Sequence, residues 1–142
     1  MKEELKKEIT DFIVEKVNPD FIMLFGSQAT GQTHLKSDTD LAFYKREHEL
    51  SPYDIFTLAG ELANITKTSV DLIDLNKAST VFKMQIFNYG IPLYFKDDYQ
   101  LNSYETNVFR MYVDLEEKRR EVLQEIHESG SVYGVRSKRS KE

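Results

Sequence analysis

Apolar residues recur at helical spacing over residues 2 to about 17, where Leu5, Ile9, Phe12, Ile13 and Val17 form one stripe among Lys and Glu. Asn18-Pro19-Asp20 stops that helix, and the continuous apolar run Phe21 to Phe25 predicts a buried strand. Gln28 to Gly31 reads as a short helical turn closed by glycine, and a polar loop leads to a second strand from Asp40 to about Lys45. Ser51-Pro52-Tyr53-Asp54 is a helix start, with Ser as N-cap and Pro at the first helical position. That helix runs to about Thr66 with Ile55, Leu58, Leu62 and Ile65 inward, and Val70 to Leu75 follows as a third strand. A crossover of this length favours parallel pairing of the second and third strands. A helix from Lys77 to about Tyr89, inward on Val81, Met84, Ile86 and Phe87, is capped by Gly90. Ile91 to Phe95 contains Pro92, which places it at a sheet edge. A long helix from about Asn102 to Glu128 carries Tyr104, Val108, Met111, Tyr112, Leu115, Val122 and Ile126.

The pattern predicts an α/β (α+β) fold: a small mixed sheet of about four strands, flanked by helices and ending in a long C-terminal helix. Its 142 residues suffice for one domain over 1–128, with a core at about 20–95. Residues 129–142 form a polar, basic tail, expected to be flexible. A formal net charge of -5 argues against general nucleic-acid binding, apart from a role for that tail. The chain has no cysteine, which excludes disulfides and thiolate metal sites and fits a cytoplasmic protein. No apolar run approaches a membrane span.

The candidate chemistry lies at the strand ends. A strand that stops at Gly26-Ser27 and turns into a helix offers backbone N–H groups to a phosphate, and Ser27 adds a hydroxyl. Asp38 and Asp40, at i and i+2, share one face of the second strand with Cα atoms roughly 6.7 Å apart. Two unpaired carboxylates about 4 Å apart repel by on the order of 4 kcal/mol at an effective dielectric near ~20, and a cation removes that cost. For Ser27 and the aspartates to converge, the first two strands must run antiparallel. On the third strand Asp71 and Asp74 differ in parity, so they cannot both face this site. The stretch Gly26 to Thr33 is not a P-loop, because Gln32 stands where the phosphate-binding lysine is required. An EF-hand is excluded by Ala42 and Phe43 at ligand and glycine positions.

Gly26-Ser27, ten intervening residues and Asp38-Thr39-Asp40 resemble the signature of the polymerase-beta-like nucleotidyltransferases. Size and overall pattern are similar to the minimal nucleotidyltransferases of the MntA type, antitoxin partners of HEPN-domain toxins. The resemblance implies the fold of that superfamily, with Gly26 and Ser27 at the β- and γ-phosphates of ATP. It also implies that Asp38, Asp40 and Asp71 are both catalytic and metal-binding, with two Mg²⁺ ions, and leaves Asp74 as a strand-end or turn residue. Many relatives have arginine after Gly-Ser; here Gln28 stands there, which shifts phosphate charge toward Lys36 or Lys83, while His34 reads as a loop residue. The implied activity is transfer of AMP from ATP to a tyrosine hydroxyl of a HEPN ribonuclease toxin, which neutralises it. The alternatives are a non-catalytic antitoxin that masks its toxin, and a nucleotidyltransferase acting on a small molecule of aminoglycoside type.

Overall fold

The first helix, α1 (Glu3–Val17), buries Ile9, Ile13 and Val17 and ends where Asn18 turns left-handed at φ 54°. The structure, a computed structural model, describes residues 1–31, 38–46 and 48–129. After α1 come β1 (Phe21–Phe25), the short α2 (Ser27–Thr30), β2 (Thr39–Tyr44) and α3 (Pro52–Thr66). They are followed by β3 (Val70–Asp74), a 3-10 turn (Leu75–Lys77), α4 (Thr80–Tyr89), β4 (Ile91–Phe95) and α5 (Asp98–Glu128). Lys36 and His34, and the basic tail from residue 130, lie outside the described residues.

The sheet has the order β3-β2-β1-β4 and is mixed, as the pattern requires. β1 runs antiparallel to β2 and to β4, while β2 and β3 are parallel. Alternation along each strand sends side chains into two cores. Ile22, Leu24, Leu41, Phe43 and Leu72 face α1 and α3, whose Ile9, Ile13 and Leu62 complete that layer. Phe21, Met23 and Ala42 face the opposite way, toward Ile86, Phe87, Leu101 and Val108 of α4 and α5. Both faces of the sheet are therefore covered, and the strands are fixed from two sides.

Helix starts follow their capping residues. Ser51 accepts a hydrogen bond from the Asp54 N–H at 3.1 Å, and Ser79 accepts one from the Phe82 N–H at 3.1 Å. The second cap begins α4 at Thr80 rather than Lys77, because the Asp74 side chain first caps the 3-10 turn through the Asn76 N–H. Val81 then falls on the outer side of α4 and is 44% exposed, so its expected inward position is incorrect. Gly90 does close α4, yet its φ of -95° is not left-handed. A side chain there would collide with the carbonyl oxygens of Ile86 and Leu24.

The chain divides into two compact units, Met1–Val108 and Phe109–Glu142. The first holds the sheet and both cores. In the second, the described residues continue α5, and Met111, Leu115 and Val122 are exposed. Leu62 is fully buried between α3 and the sheet. Truncation to alanine is expected to cost about 2–5 kcal/mol in urea unfolding without changing the fold.

Candidate active site

Three adjacent strands place the candidate residues in one row. Phe25, the last residue of β1, pairs with Asp40 of β2, and Asp40 pairs with Asp71 of β3. Neighbouring strands lie about 4.8 Å apart, so Gly26, Asp40 and Asp71 sit side by side at one end of the sheet. Asp40 shares its parity with Ala42, and Asp71 with Ile73, so both project on the side covered by α4 and α5. Asp38 precedes β2 and is exposed, as is Asp71, whereas Asp40 is half-buried.

Gly26 is required by two independent features. Its φ is +74°, a region L side chains rarely adopt, and a Cβ added there would collide with Oδ2 of Asp40 and stand 3.1 Å from its Cγ. The backbone thus yields its space to the carboxylate. Gly26 is also the N-cap of α2, its carbonyl accepting from the Ala29 N–H at 3.1 Å, and Ser27 follows as the first helical residue. Gly31 closes α2 with φ +79°.

Asp40 has its pKa raised, first by burial, then by the charge of Asp71 and then by that of Asp38. The three carboxylates therefore share one electrostatic environment. Among the described residues they do not form a ready-made three-ligand metal cluster. The donor set nevertheless suits a hard divalent cation: all ligands would be carboxylate oxygens, and the repulsion on Asp40 is what such an ion reverses.

Thr39, between the two aspartates, has the opposite parity and is buried. Its hydroxyl bonds to that of Thr68 at 2.8 Å, which bonds to that of Thr66 at 2.9 Å, while the Thr39 N–H donates to the Ser69 carbonyl at 2.9 Å. This chain fastens the start of β2 to the turn after α3 and so fixes the aspartates on the other face. Sequence reasoning missed it, although a β-branched hydroxyl residue inside Asp-x-Asp was the available signal.

Asp74 stands apart, as its parity requires. It is buried, accepting from the Leu50 N–H at 3.1 Å and the Asn76 N–H at 3.0 Å, so it is the expected turn residue. Lys83 is half-buried on α4 with Nζ 5.6 Å from the ring centroid of Tyr104, a cation–π contact. The Tyr104 hydroxyl is buried with no hydrogen-bond partner among the described residues, and burial foremost raises its pKa. Phe82 of α4 was not foreseen. It packs edge-to-face on Phe25 at 5.8 Å and lines a cleft of about 310 Å³ with Gly26, Thr30 and Gln85.

The family described as polymerase beta nucleotidyltransferase matches residues 7–99. A protein adenylyltransferase MntA from Shewanella oneidensis is 33% identical over 106 residues, 74% of this chain and 74% of that protein. A solved toxin–antitoxin complex with AMP-PNP contains a chain 27% identical to this one, with a TM-score of 0.77, covering 86% of this chain and 98% of that one. A solved structure of a tri-AMPylated Shewanella oneidensis HEPN toxin in complex with MNT antitoxin contains a chain that shares the fold, at 24% identity and a TM-score of 0.73, over 89% of this chain and 99% of that one.

The two aspartates of β3 are separable by experiment. Asp74→Ala removes the acceptor of two backbone N–H groups and is expected to cost roughly 1–3 kcal/mol in denaturant unfolding. Asp71→Ala, at an exposed position, stays within about 0.5 kcal/mol of the parent. Asp40 supplies a pH signature. Its raised pKa means that the folded chain holds this proton more tightly than the unfolded chain. Stability is therefore lost as pH rises from the ordinary carboxylate value through the raised one. Asp40→Asn lacks that slope and melts higher than the parent at neutral pH in metal-free buffer, which parallel thermal melts across pH will read.

Proposed function

We propose that this chain, which belongs to the polymerase beta nucleotidyltransferase family, transfers AMP from ATP to a tyrosine hydroxyl of a HEPN-domain toxin and thereby neutralises it. The observation that carries the reading is the row of Gly26, Asp40 and Asp71 across three strands. It joins the Gly-Ser turn proposed for phosphate to Asp40, whose proton affinity is raised by burial first and then by the charges of Asp71 and Asp38. The relatives named as adenylyltransferase and as toxin–antitoxin complex with AMP-PNP support the nucleotide and the kind of partner. No described helix is long and apolar enough to cross a membrane, which accords with action in the cytoplasm.

In this reading Gly26 and the opening turn of α2 receive the β- and γ-phosphates, with the Ser27 hydroxyl as a further donor. Lys83 lies on the same side of the sheet and supplies positive charge by swinging off Tyr104; Lys36 is the second candidate. Asp38, Asp40 and Asp71 would hold Mg²⁺, two ions by family resemblance, whose chemistry is to neutralise charge developing on the phosphates. The acceptor oxygen bonds to the α-phosphorus as the bond to the bridging oxygen of the β-phosphate breaks. Pyrophosphate leaves, and the hydroxyl proton passes to Asp71. Asp40, set between Gly26 and Asp71, keeps the carboxylate group and the phosphate turn in fixed relation.

Incubation with labelled ATP, Mg²⁺ and the cognate HEPN toxin is expected to label the toxin on tyrosine. Asp71→Asn should lower kcat by about 10²-fold or more, and the Asp38→Asn/Asp40→Asn double variant should abolish labelling. A double variant that neutralises the toxin at the same dose as the parent would replace chemistry with masking.

A further inference from the structure

The helix α5 runs past the domain that carries the candidate site. The family match ends at residue 99, near the start of α5. The chain of the toxin–antitoxin complex with AMP-PNP covers 86% of this one, more than Met1–Val108 contains, so that likeness extends into the second unit. The length beyond Val108 is thus shared with a chain of a toxin–antitoxin complex and lies outside the nucleotidyltransferase domain.

Taken by itself, the second unit presents a helix with an open apolar side. Phe109 to Glu128 make about 30 Å of helix at a rise of 1.5 Å per residue. Seven-residue steps join Leu101, Val108, Leu115 and Val122. The first two are buried in a core and the last two are not. Met111 and Leu123 widen the stripe, and the four side chains beyond Val108 are 43% to 58% exposed. Glu117 and Gln124 stand on the opposite face of the helix. Arg119 interrupts the stripe once, and its guanidinium lies 3.8 Å from the Glu116 carboxylate, so it brings its own counter-charge into any contact made there.

We propose that the half of α5 from Phe109 to Glu128 is the docking helix for the HEPN toxin, seated along an amphipathic helix of that partner. The inference rests on the reading that this chain acts on such a toxin. Helices in proteins draw most of their stability from packing an apolar face, and here that face continues past the residues that bury it. A straight stripe of this length is followed from end to end by another helix, whose side chains fit between its ridges. A single charged position such as Arg119 fixes the register of such a seam. The segment 130–142 is a poor substitute, because Val132, Tyr133 and Val135 are its only large apolar residues. Holding the toxin and reacting with it are then tasks of different units of the chain.

The test uses the full chain and its cognate HEPN toxin, with binding measured by calorimetric titration and transfer by labelled ATP. Leu115→Ala/Val122→Ala keeps the helix, since alanine is the best helix former, and far-UV circular dichroism should match the parent. It is expected to weaken toxin binding at least ~10-fold and to raise the toxin concentration at half-maximal labelling by a similar factor, while the ATP value moves less than ~2-fold. Glu117→Ala/Gln124→Ala, on the opposite face, should move all three less than ~2-fold. Unchanged toxin binding in the Leu115/Val122 variant overturns the proposal, whatever happens to labelling. So does a parent chain that is dimeric alone by light scattering and monomeric in that variant, because a second copy then covers the stripe. Binding is read apart from labelling. A parent chain that binds the toxin through this helix and never labels it removes the transfer reading and leaves the docking helix established.

Discussion

The carboxylate of Asp40 occupies space that any side chain at residue 26 would fill, and the site depends on that steric exclusion. A glycine with φ +74° ends β1, and the acid of the adjacent strand moves into the room it leaves. The Gly26-Ser27 turn and the carboxylates are thereby fixed relative to one another through backbone and strand pairing, without a hinge or a long side chain between them. Parallel pairing then brings Asp71 to the other side of Asp40.

Burial first, and then the proximity of Asp71 and Asp38, raises the proton affinity of Asp40. The rest of the fold tolerates it because the strands are held from both faces. Leu41 and Phe43 anchor β2 in the layer under α1 and α3, and Ala42 anchors it in the layer under α4 and α5. The hydroxyl chain from Thr39 through Thr68 to Thr66 adds a polar fastening at the point where the aspartates leave the core. Repulsion among the acids thus acts against a backbone that cannot easily retreat.

Much of this was legible in the sequence because the signals were local or periodic. Phe21 to Phe25 is a strand over the expected residues, and Ser51 and Gly31 cap the helices that their residue types announce. The antiparallel and parallel pairings followed from where the chemistry had to meet and from the length of the crossover. Val81 was misplaced because the inward stripe of α4 is Phe82, Ile86 and Phe87, and Val81 stands one residue off it. Thr39 and Phe82 escaped notice for another reason. Their roles arise from partners far away in the chain, Thr68 and Phe25, which periodicity within one element cannot reveal.

Asp74, Asn76 and Lys77 form a short run whose side chains all reach back to the connection after β2. Asp74 takes the Leu50 N–H, the Asn76 amide donates to the carbonyls of Lys45 and His48 at 2.8 Å each, and Lys77 donates to the carbonyl of Leu50. The segment leaving the strand of Asp71 is thus stapled to the segment leaving the strand of Asp40. A slip of one residue between these strands would turn Asp71 to the opposite face and separate it from its neighbour. Damage to this clasp would therefore disturb the row of Gly26, Asp40 and Asp71 from a distance, although the clasp joins the opposite ends of the two strands.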